Sequence, residues 1–417
     1  MTDDKEVDVE RQAHAGRRIF FSVGEPSGDL HGANLIAALR RCDPTVECRG
    51  MGGPKMEAAG MAVVEDLTRL AVMGIVQVVL RVHLFWKALR RVDRELRRWR
   101  PDLVVLIDFP GFNWWVARAA RRHGIPVVYY GVPQLWAWGS WRVGKMRRLV
   151  DLVLSKLPFE AEWYRGHGVD ARYVGHPYFD ELATRGLDRG AVETERDAPH
   201  LVLLPGSRRQ EVEWNLAAML STAERVRAAH PDLRVTIASF NEPQAHRARQ
   251  IAAAFDLPVE VEVGRATELI ADATICLACS GSVSLELLYF ARPAVIYYRV
   301  RPTMWFVARR FLLTVRYITL VNLLACDDRF DTQRGPYDAS TSDRARVPYP
   351  EYPVYWDATR EMAAHLQEWL DDPGIYRAKV KQLEAVRDRI VRPGATQRAA
   401  EAMMEMLSQR LSANRAA

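Results

Sequence analysis

Short apolar runs alternate with longer amphipathic stretches along almost the whole chain, and few folds accommodate that rhythm. A run such as 103–107, Leu-Val-Val-Leu-Ile, has no polar face, so as a strand it needs cover on both sides. Strand and helix in strict alternation predict an α/β fold: parallel sheets with helices packed on each face. The expected strands are 18–23, 103–107, 126–130 and 152–154, then 201–204, 235–238, 273–277 and 294–298. The helices between them include 33–41, 84–98, 114–123, 210–229 and 283–290.

A polar stretch, 184–198, separates the two series and is read as a linker, which suits a chain of 417 residues, long for one domain. The expected organisation is a disordered tail over 1–17, a doubly wound Rossmann-like domain over 18–183 and a second over 199–355. Helices over 356–417 are free to pack back on the first domain. Residues 327–353, rich in Asp, Arg, Pro, Ser and Tyr without a period, read as a loop or insertion in the second domain. Two such domains are expected to face each other across a cleft, with the ligand where their strand ends meet.

The first residues are polar with no apolar core, unlike a signal peptide. No apolar run approaches the roughly 18–20 residues that span a bilayer, 71–80 being the longest. A cytoplasmic protein, soluble or peripheral on the inner face of the cell membrane, is the expectation. Cys42, Cys48 and Cys326 are scattered, as in a reducing compartment; Cys276 and Cys279 form a CxxC inside an apolar run, without the second pair a zinc site would want. They read as buried small residues.

Four segments join a strand to a helix with chemistry between. Gly24-Glu-Pro-Ser-Gly-Asp-Leu-His-Gly follows the first strand: Gly24, Ser27, Gly28 and Asp29 either let a substrate approach the backbone or form a turn capped by Ser27 or Asp29. The strand 103–107 delivers Asp108 to its C-terminal end, where a carboxylate can accept a proton from a hydroxyl or can bond backbone amides before Trp114. Pro205-Gly206-Ser207-Arg208 opens a helix that could meet a phosphate, Arg208 offering a planar fork of donors. Ser280, Gly281 and Ser282 end a strand and start a helix carrying Glu286 between two leucines, where a carboxylate can accept the hydroxyls of a ribose.

Taken in order, these segments resemble lipid-A-disaccharide synthases, inverting glycosyltransferases with two Rossmann-like domains of the GT-B type. The matching stretches are GEPSGDLHGANLIAALR from Gly24, GGPKMEAAGM from Gly52, LAVMGIVQVV from Leu70 and PDLVVLIDFPGFN from Pro101. They continue with PQLWAWGSWRVGKM from Pro133, DLVLSKLPFE from Asp151, VGHP from Val174, LLPGSRRQEVE from Leu203, SGSVSLELL from Ser280 and YITLVNLLA from Tyr317. The resemblance implies transfer of a sugar from UDP-2,3-diacylglucosamine to the 6-hydroxyl of 2,3-diacylglucosamine 1-phosphate, giving a β-1,6-linked disaccharide and UDP. It implies Asp108 as general base, Arg208 at the donor diphosphate, Glu286 at the ribose and Asn322 as a donor contact. Gln77 departs from the family, which usually has Glu there, and the pattern stops after Ala325.

The chain has no D-x-D, so arginine and backbone dipoles are expected to stabilise the leaving diphosphate, with no metal and no cofactor. Acylated substrates call for a membrane surface. The formal charge of +6 leans towards anionic partners, and Leu84, Phe85 and Trp86 sit beside Lys87, Arg90, Arg91 and Arg94. Arg301, Arg309, Arg310 and Arg316 likewise surround Trp305, Phe306 and Phe311, with no acidic residue from Leu287 to Cys326. No nucleic-acid motif accompanies these basic stretches, and a homodimer is left open. The rival readings are another UDP-sugar transferase or epimerase of the same fold, and an inactive lipid-binding homologue.

Overall fold

The structure, a computed structural model, describes residues 16–68, 82–187 and 198–416. The apolar run 71–80 with Gln77, residues 1–15 of the tail and 188–197 of the linker lie outside the described residues. The chain divides into two compact units, Met1–Asp180 with Pro393–Ala417, and Glu181–Arg392.

In unit 1 the elements follow as β1 (Arg18–Val23), α1 (Pro26–Cys42), β2 (Glu47–Met51), α2 (Pro54–Ala58), β3 (Ala62–Glu65) and α3 (Val82–Trp99). Then come β4 (Leu103–Ile107), α4 (Pro110–Arg122), β5 (Val127–Tyr130), α5 (Val143–Leu149), β6 (Leu152–Ser155), α6 (Pro158–Gly166) and β7 (Ala171–Tyr173), and α7 (Pro177–Thr184) carries the chain out. Among the described residues the strands form a parallel seven-stranded sheet, ordered β3-β2-β1-β4-β5-β6-β7. Successive residues of β4 feed opposite cores. Val104 and Leu106 join Val92 and Leu96 of α3; Leu103, Val105 and Ile107 join Leu35 and Leu39 of α1.

Unit 2 repeats the plan with β8 (His200–Leu204), α8 (Arg209–Ala229), β9 (Arg234–Ser239), α9 (Glu242–Ala252), β10 (Glu260–Val263), α10 (Ala266–Asp272), β11 (Ile275–Cys279) and α11 (Val283–Tyr289). After β12 (Ala294–Arg299), α12 (Pro302–Val307) runs into a π-helical turn, Ala308–Leu312. There follow α13 (Leu320–Ala325), α14 (Asp343–Arg346), β13 (Glu351–Val354), α15 (Thr359–Asp371) and α16 (Pro373–Ile390). Its described strands are parallel in the order β10-β9-β8-β11-β12-β13. The last helix, α17 (Ala395–Ala416), belongs to unit 1, where Ala399, Ala400, Met403 and Leu407 complete the core over α1.

Both sheets are doubly wound. Their strand order reverses between β1 and β4 in unit 1 and between β8 and β11 in unit 2, and ligands of open parallel sheets collect outside the strand ends at that reversal. All four chemical segments read from the sequence follow one of these four strands.

Three expectations change. Helix α1 begins at Pro26, a residue suited to the first helical position, so Ser27, Gly28 and Asp29 are helical and form no separate turn. The segment 327–353 is held by a buried charge network: Arg316, 4% exposed, donates to Asp343 at 2.6 Å and also pairs with Asp328, while Arg346 reaches Asp328 at 2.8 Å and Asp343 at 2.7 Å. Its last residues enter the edge strand β13, where Pro353 is tolerated. Arg316 therefore faces inward and drops out of the basic surface read around Trp305. Cys276 and Cys279 are both buried in β11.

Candidate functional site

Asp108 follows β4 and is partly exposed, with φ of +47°; Phe109 follows at +46°. Two consecutive non-glycine residues in the left-handed region are strained, a condition kept only where the surroundings enforce it. Asn113, fully buried on α4, enforces it. Its Nδ2 donates to the Asp108 carbonyl at 2.8 Å and to those of Ile107 and Ser22 at 3.3 Å, while its Oδ1 accepts from Ser22 Oγ at 2.6 Å. The buried Tyr129 hydroxyl donates to the same Asp108 carbonyl at 2.8 Å.

With the backbone pinned, the Asp108 carboxylate projects beyond the strand ends. Its Oδ1 lies 3.5 Å from Lys156 Nζ, at the end of β6. Gly131, at φ +68°, makes room for this pair: a Cβ there would sit 2.8 Å from Lys156 Nζ and 2.9 Å from Asp108 Oδ1. A Cβ on Gly28 would lie 3.8 Å from Asp108 Oδ2, and one on Gly24 would run into the Phe109 ring. The first two sequence segments thus converge on one carboxylate. His31 of α1 and His176 before α7 lie in the electrostatic neighbourhood of Lys156; burial, reinforced by that charge, holds His31 down at about 3 and His176 well below the usual range. Both stay neutral imidazoles at neutral pH.

The other residues of the first segment serve the fold. Asp29, read as a turn cap or ligand contact, is buried and caps α2: Oδ1 accepts from Gly53 and Met56 amides at 2.9 and 3.1 Å, and Oδ2 from Lys55 at 3.0 Å. Ser27 is exposed in the first turn of α1, whose cap Glu25 makes no side-chain capping bond.

Beside this site, the tryptophan loop after β5 is anchored at Trp136, whose indole donates to the buried Glu160 at 2.8 Å; Ser155 Oγ donates to the same carboxylate at 2.6 Å. Burial pushes Glu160 up to about 7 against those two bonds. Lys156, His31, His176 and Glu160 all lie within stretches that signalled the family, yet their spacing in sequence gives none of them a role. Lys156 meets Asp108, and Glu160 meets Trp136, only in the folded chain.

In unit 2, Gly206 has φ +125°, and a Cβ there would strike Glu211. Glu211 closes the start of α8: its Oε2 accepts from the Ser207 and Arg208 amides at 2.9 and 3.0 Å, and its Oε1 from Arg208 Nη1 at 3.1 Å. The amides expected to face a phosphate are engaged here by Glu211, and the Arg208 side chain, though paired with the same carboxylate through Nη1, is 81% exposed and is the element of this segment that solvent-borne anions can reach. After β11, Gly281 and Ser282 are exposed and Ser280 partly so, with open space around Gly281. Glu286 is buried one turn into α11, where it accepts from Thr267 Oγ1 at 2.7 Å, itself bonded by Arg185 at 2.8 Å. It is no solvated surface acid.

Asn322, expected as a donor contact, has its side chain committed within the fold. It is fully buried, its Nδ2 donating to the Tyr349 carbonyl at 2.8 Å and Glu351 at 2.9 Å, and its Oδ1 accepting from the Tyr349 amide at 3.0 Å. It ties α13 to β13.

The expected lipid-facing trio also divides. Helical rotation sends Phe85 inward with Ala88, Val92 and Leu96, and its ring packs 6.2 Å from both Phe109 and Phe112. Leu84 is half-buried. Trp86 is exposed and pairs at 5.8 Å with exposed Trp115, which carries Arg118 4.7 Å over its ring. Among the described residues no helix is long and apolar enough to cross a membrane.

Comparison with known proteins gives the chain its relatives. A family model described as lipid-A-disaccharide synthetase matches residues 19–333. A lipid-A-disaccharide synthase of Geobacter sulfurreducens is 33% identical over 95% of this chain and 99% of its own. One from Myxococcus xanthus is 35% identical over 94% and 97%. One from Pseudomonas aeruginosa is 34% identical over 95% and 99%. Among solved structures, an S. aureus MnaA–UDP co-structure superposes with a TM-score of 0.61 at 12% identity, covering 94% of this chain and 97% of its own. The calicheamicin glycosyltransferase CalG4 does so with 0.52 at 17%, covering 94% and 98%. At such identities these two likenesses speak for the fold alone.

Proposed function

As a member of the lipid-A-disaccharide synthase family this chain is a glycosyltransferase of lipid A disaccharide synthesis, and we propose that its donor is UDP-2,3-diacylglucosamine and its acceptor 2,3-diacylglucosamine 1-phosphate. The observation that carries the residue assignment is the Asp108 turn: strain is held at the strand-order reversal by two buried side chains, and the carboxylate is left projecting.

In this reading Asp108 takes the proton of the acceptor 6-hydroxyl as that oxygen bonds to C1 of the donor sugar. The C1–oxygen bond to the diphosphate breaks, its electron pair leaves with UDP, and the configuration at C1 inverts. Lys156 keeps the carboxylate oriented before the acceptor arrives. In unit 2, Arg208 and the turn 280–282 meet the diphosphate, and Glu286 accepts from the ribose hydroxyls. The epimerase alternative is not favoured, because the sequence relatives over nearly the whole chain are named synthases.

Acylated substrates call for a membrane surface, and of the expected docking surface Trp86 is exposed; its pairing with Trp115, under Arg118, supports a contact in unit 1. The deciding assay incubates the protein with both acylated sugars and follows UDP and disaccharide. A β-1,6-linked product is expected. UDP release without disaccharide, or turnover of non-acylated UDP-sugars alone, would replace this reading with another transferase.

A further inference from the structure

Few segments of the described chain are as bare as 302–312. No residue of α12 or of the π-helical turn is buried, and Met304, Phe306, Val307, Phe311 and Leu312 are 59%, 66%, 46%, 67% and 42% exposed. Isolated exposed apolar side chains are ordinary; five large ones within nine residues make a patch that wants a partner.

The charges say which partner. Arg309 lies 5.5 Å over the Trp305 ring and Arg310 5.3 Å over that of Phe311, while Arg301 stacks 5.4 Å from Trp214. No acidic residue occurs from Leu287 to Cys326. Guanidinium groups lying on the rings they flank keep their charge beside the apolar tips, the arrangement that suits a boundary between acyl chains and phosphate groups. A second copy of this chain is a poorer fit: a two-fold pairing through this patch buries Arg309 and Arg310 of both copies in one interface, with no acid in the segment to neutralise them.

We propose that 302–312 is a docking surface for an anionic lipid membrane, carried by unit 2 and distinct from the Trp86–Trp115 pair of unit 1. Phe306, Phe311 and their apolar neighbours enter the acyl boundary, and Arg309 and Arg310 meet lipid phosphates. The inference rests on the reading that the substrates are membrane lipids, and it gives the donor-binding unit of that reading a lipid contact of its own.

The test is co-sedimentation of the full chain with phosphatidylethanolamine vesicles carrying increasing phosphatidylglycerol. Phe306→Ser with Phe311→Ser should lower vesicle partition by about tenfold or more, with melting temperature and turnover of detergent-dispersed substrate unchanged. Arg309→Gln with Arg310→Gln should flatten the dependence on phosphatidylglycerol and salt, and decides the matter if the first variant is unstable. Wild-type partition in both variants overturns the proposal, as does loss of binding only on changing Trp86 and Trp115. A wild-type dimer that the phenylalanine variant converts to monomer, with vesicle binding intact, assigns the patch to a second copy and also overturns it. If the wild-type chain binds vesicles through this patch but makes no disaccharide, it is the substrate reading that fails.

Discussion

Asn113 Nδ2 lies 2.8 Å from the carbonyl oxygen of Asp108, and that hydrogen bond holds a backbone turned to φ +47°. An aspartate left to itself would relax towards negative φ and swing its carboxylate away from Lys156. The same carbonyl accepts a second bond from the Tyr129 hydroxyl, so the turn is held from the following helix and from the neighbouring strand.

If that carboxylate is the base, Asp108→Asn keeps the turn and removes only the proton acceptor. Turnover should fall about 10²–10⁴-fold, with UDP affinity and melting temperature close to wild type. Near-normal turnover in this variant would take Asp108 out of the base role.

Tyr129→Phe removes one of the two bonds on the Asp108 carbonyl without changing the carboxylate. A net hydrogen bond of about 0.5–1.5 kcal/mol corresponds to a loss of roughly 3–10-fold in kcat, with KM for both substrates little changed. Asn113→Ala takes the acceptor from the buried Ser22 Oγ and a donor from three backbone carbonyls, and should cost on the order of 3 kcal/mol of stability as well. Urea melts beside steady-state kinetics separate the two effects, and an unchanged kcat in Tyr129→Phe would show that the turn holds without its hydroxyl.

In unit 2, Arg208→Ala and Glu286→Ala should each weaken UDP binding, the first by removing an exposed phosphate fork, the second by removing a buried acceptor. Calorimetry with UDP alone measures this, and unchanged affinity in both variants would reassign the donor site. Turnover should also survive chelation of divalent metals, since the proposed diphosphate contacts are arginine and backbone amides. Loss with EDTA restored by magnesium would contradict that.

What was legible in the sequence follows the physics of burial. Strands β4 and β11 are continuous apolar runs, and β1 and β8 nearly so apart from Arg18, Ser22 and His200, because both faces are covered, and the residues after them are where ligands collect. β10 (Glu-Val-Glu-Val), the three-residue β7 and β13 with its proline carry no such run, because they sit at sheet edges. In the site, Asp108 was marked by its place after an apolar strand. Its strain and its clamp were not, for Asn113 reaches it only once β4 and α4 have folded together. The internal bonds of Asp29 and Asn322 were hidden for the same reason: their partners are 24 to 27 residues and 27 to 29 residues away, where no local pattern shows them.

The buried Glu160 gives a pH signature. Its carboxyl titrates near 4.5 when free and is pushed up to about 7 by burial in the fold. Between those values the folded chain keeps a proton that the unfolded chain has released, so this group's contribution is complete below about 4.5 and is lost as pH rises through 7. The window corresponds to about 3 kcal/mol as an order of magnitude. Glu160→Gln should flatten that slope and raise the melting temperature at pH 8. His31, held down at about 3, slopes the other way between 3 and 6.5, so variant and wild type must be compared at each pH. Parallel curves would remove Glu160 as the source.

The return of α17 to unit 1 governs the order in which the molecule can be made. Ala399, Ala400, Met403 and Leu407 seal one face of a sheet whose first strand is β1, so the first strand and the last helix of the described residues share one core. Unit 2 has all its chain in a single stretch and can finish during synthesis, while the unit begun first must wait with Ile19, Phe21, Leu35 and Leu39 uncovered. A message truncated shortly before codon 395 therefore yields a chain with every proposed site residue present and a raw apolar face for chaperones and proteases to find.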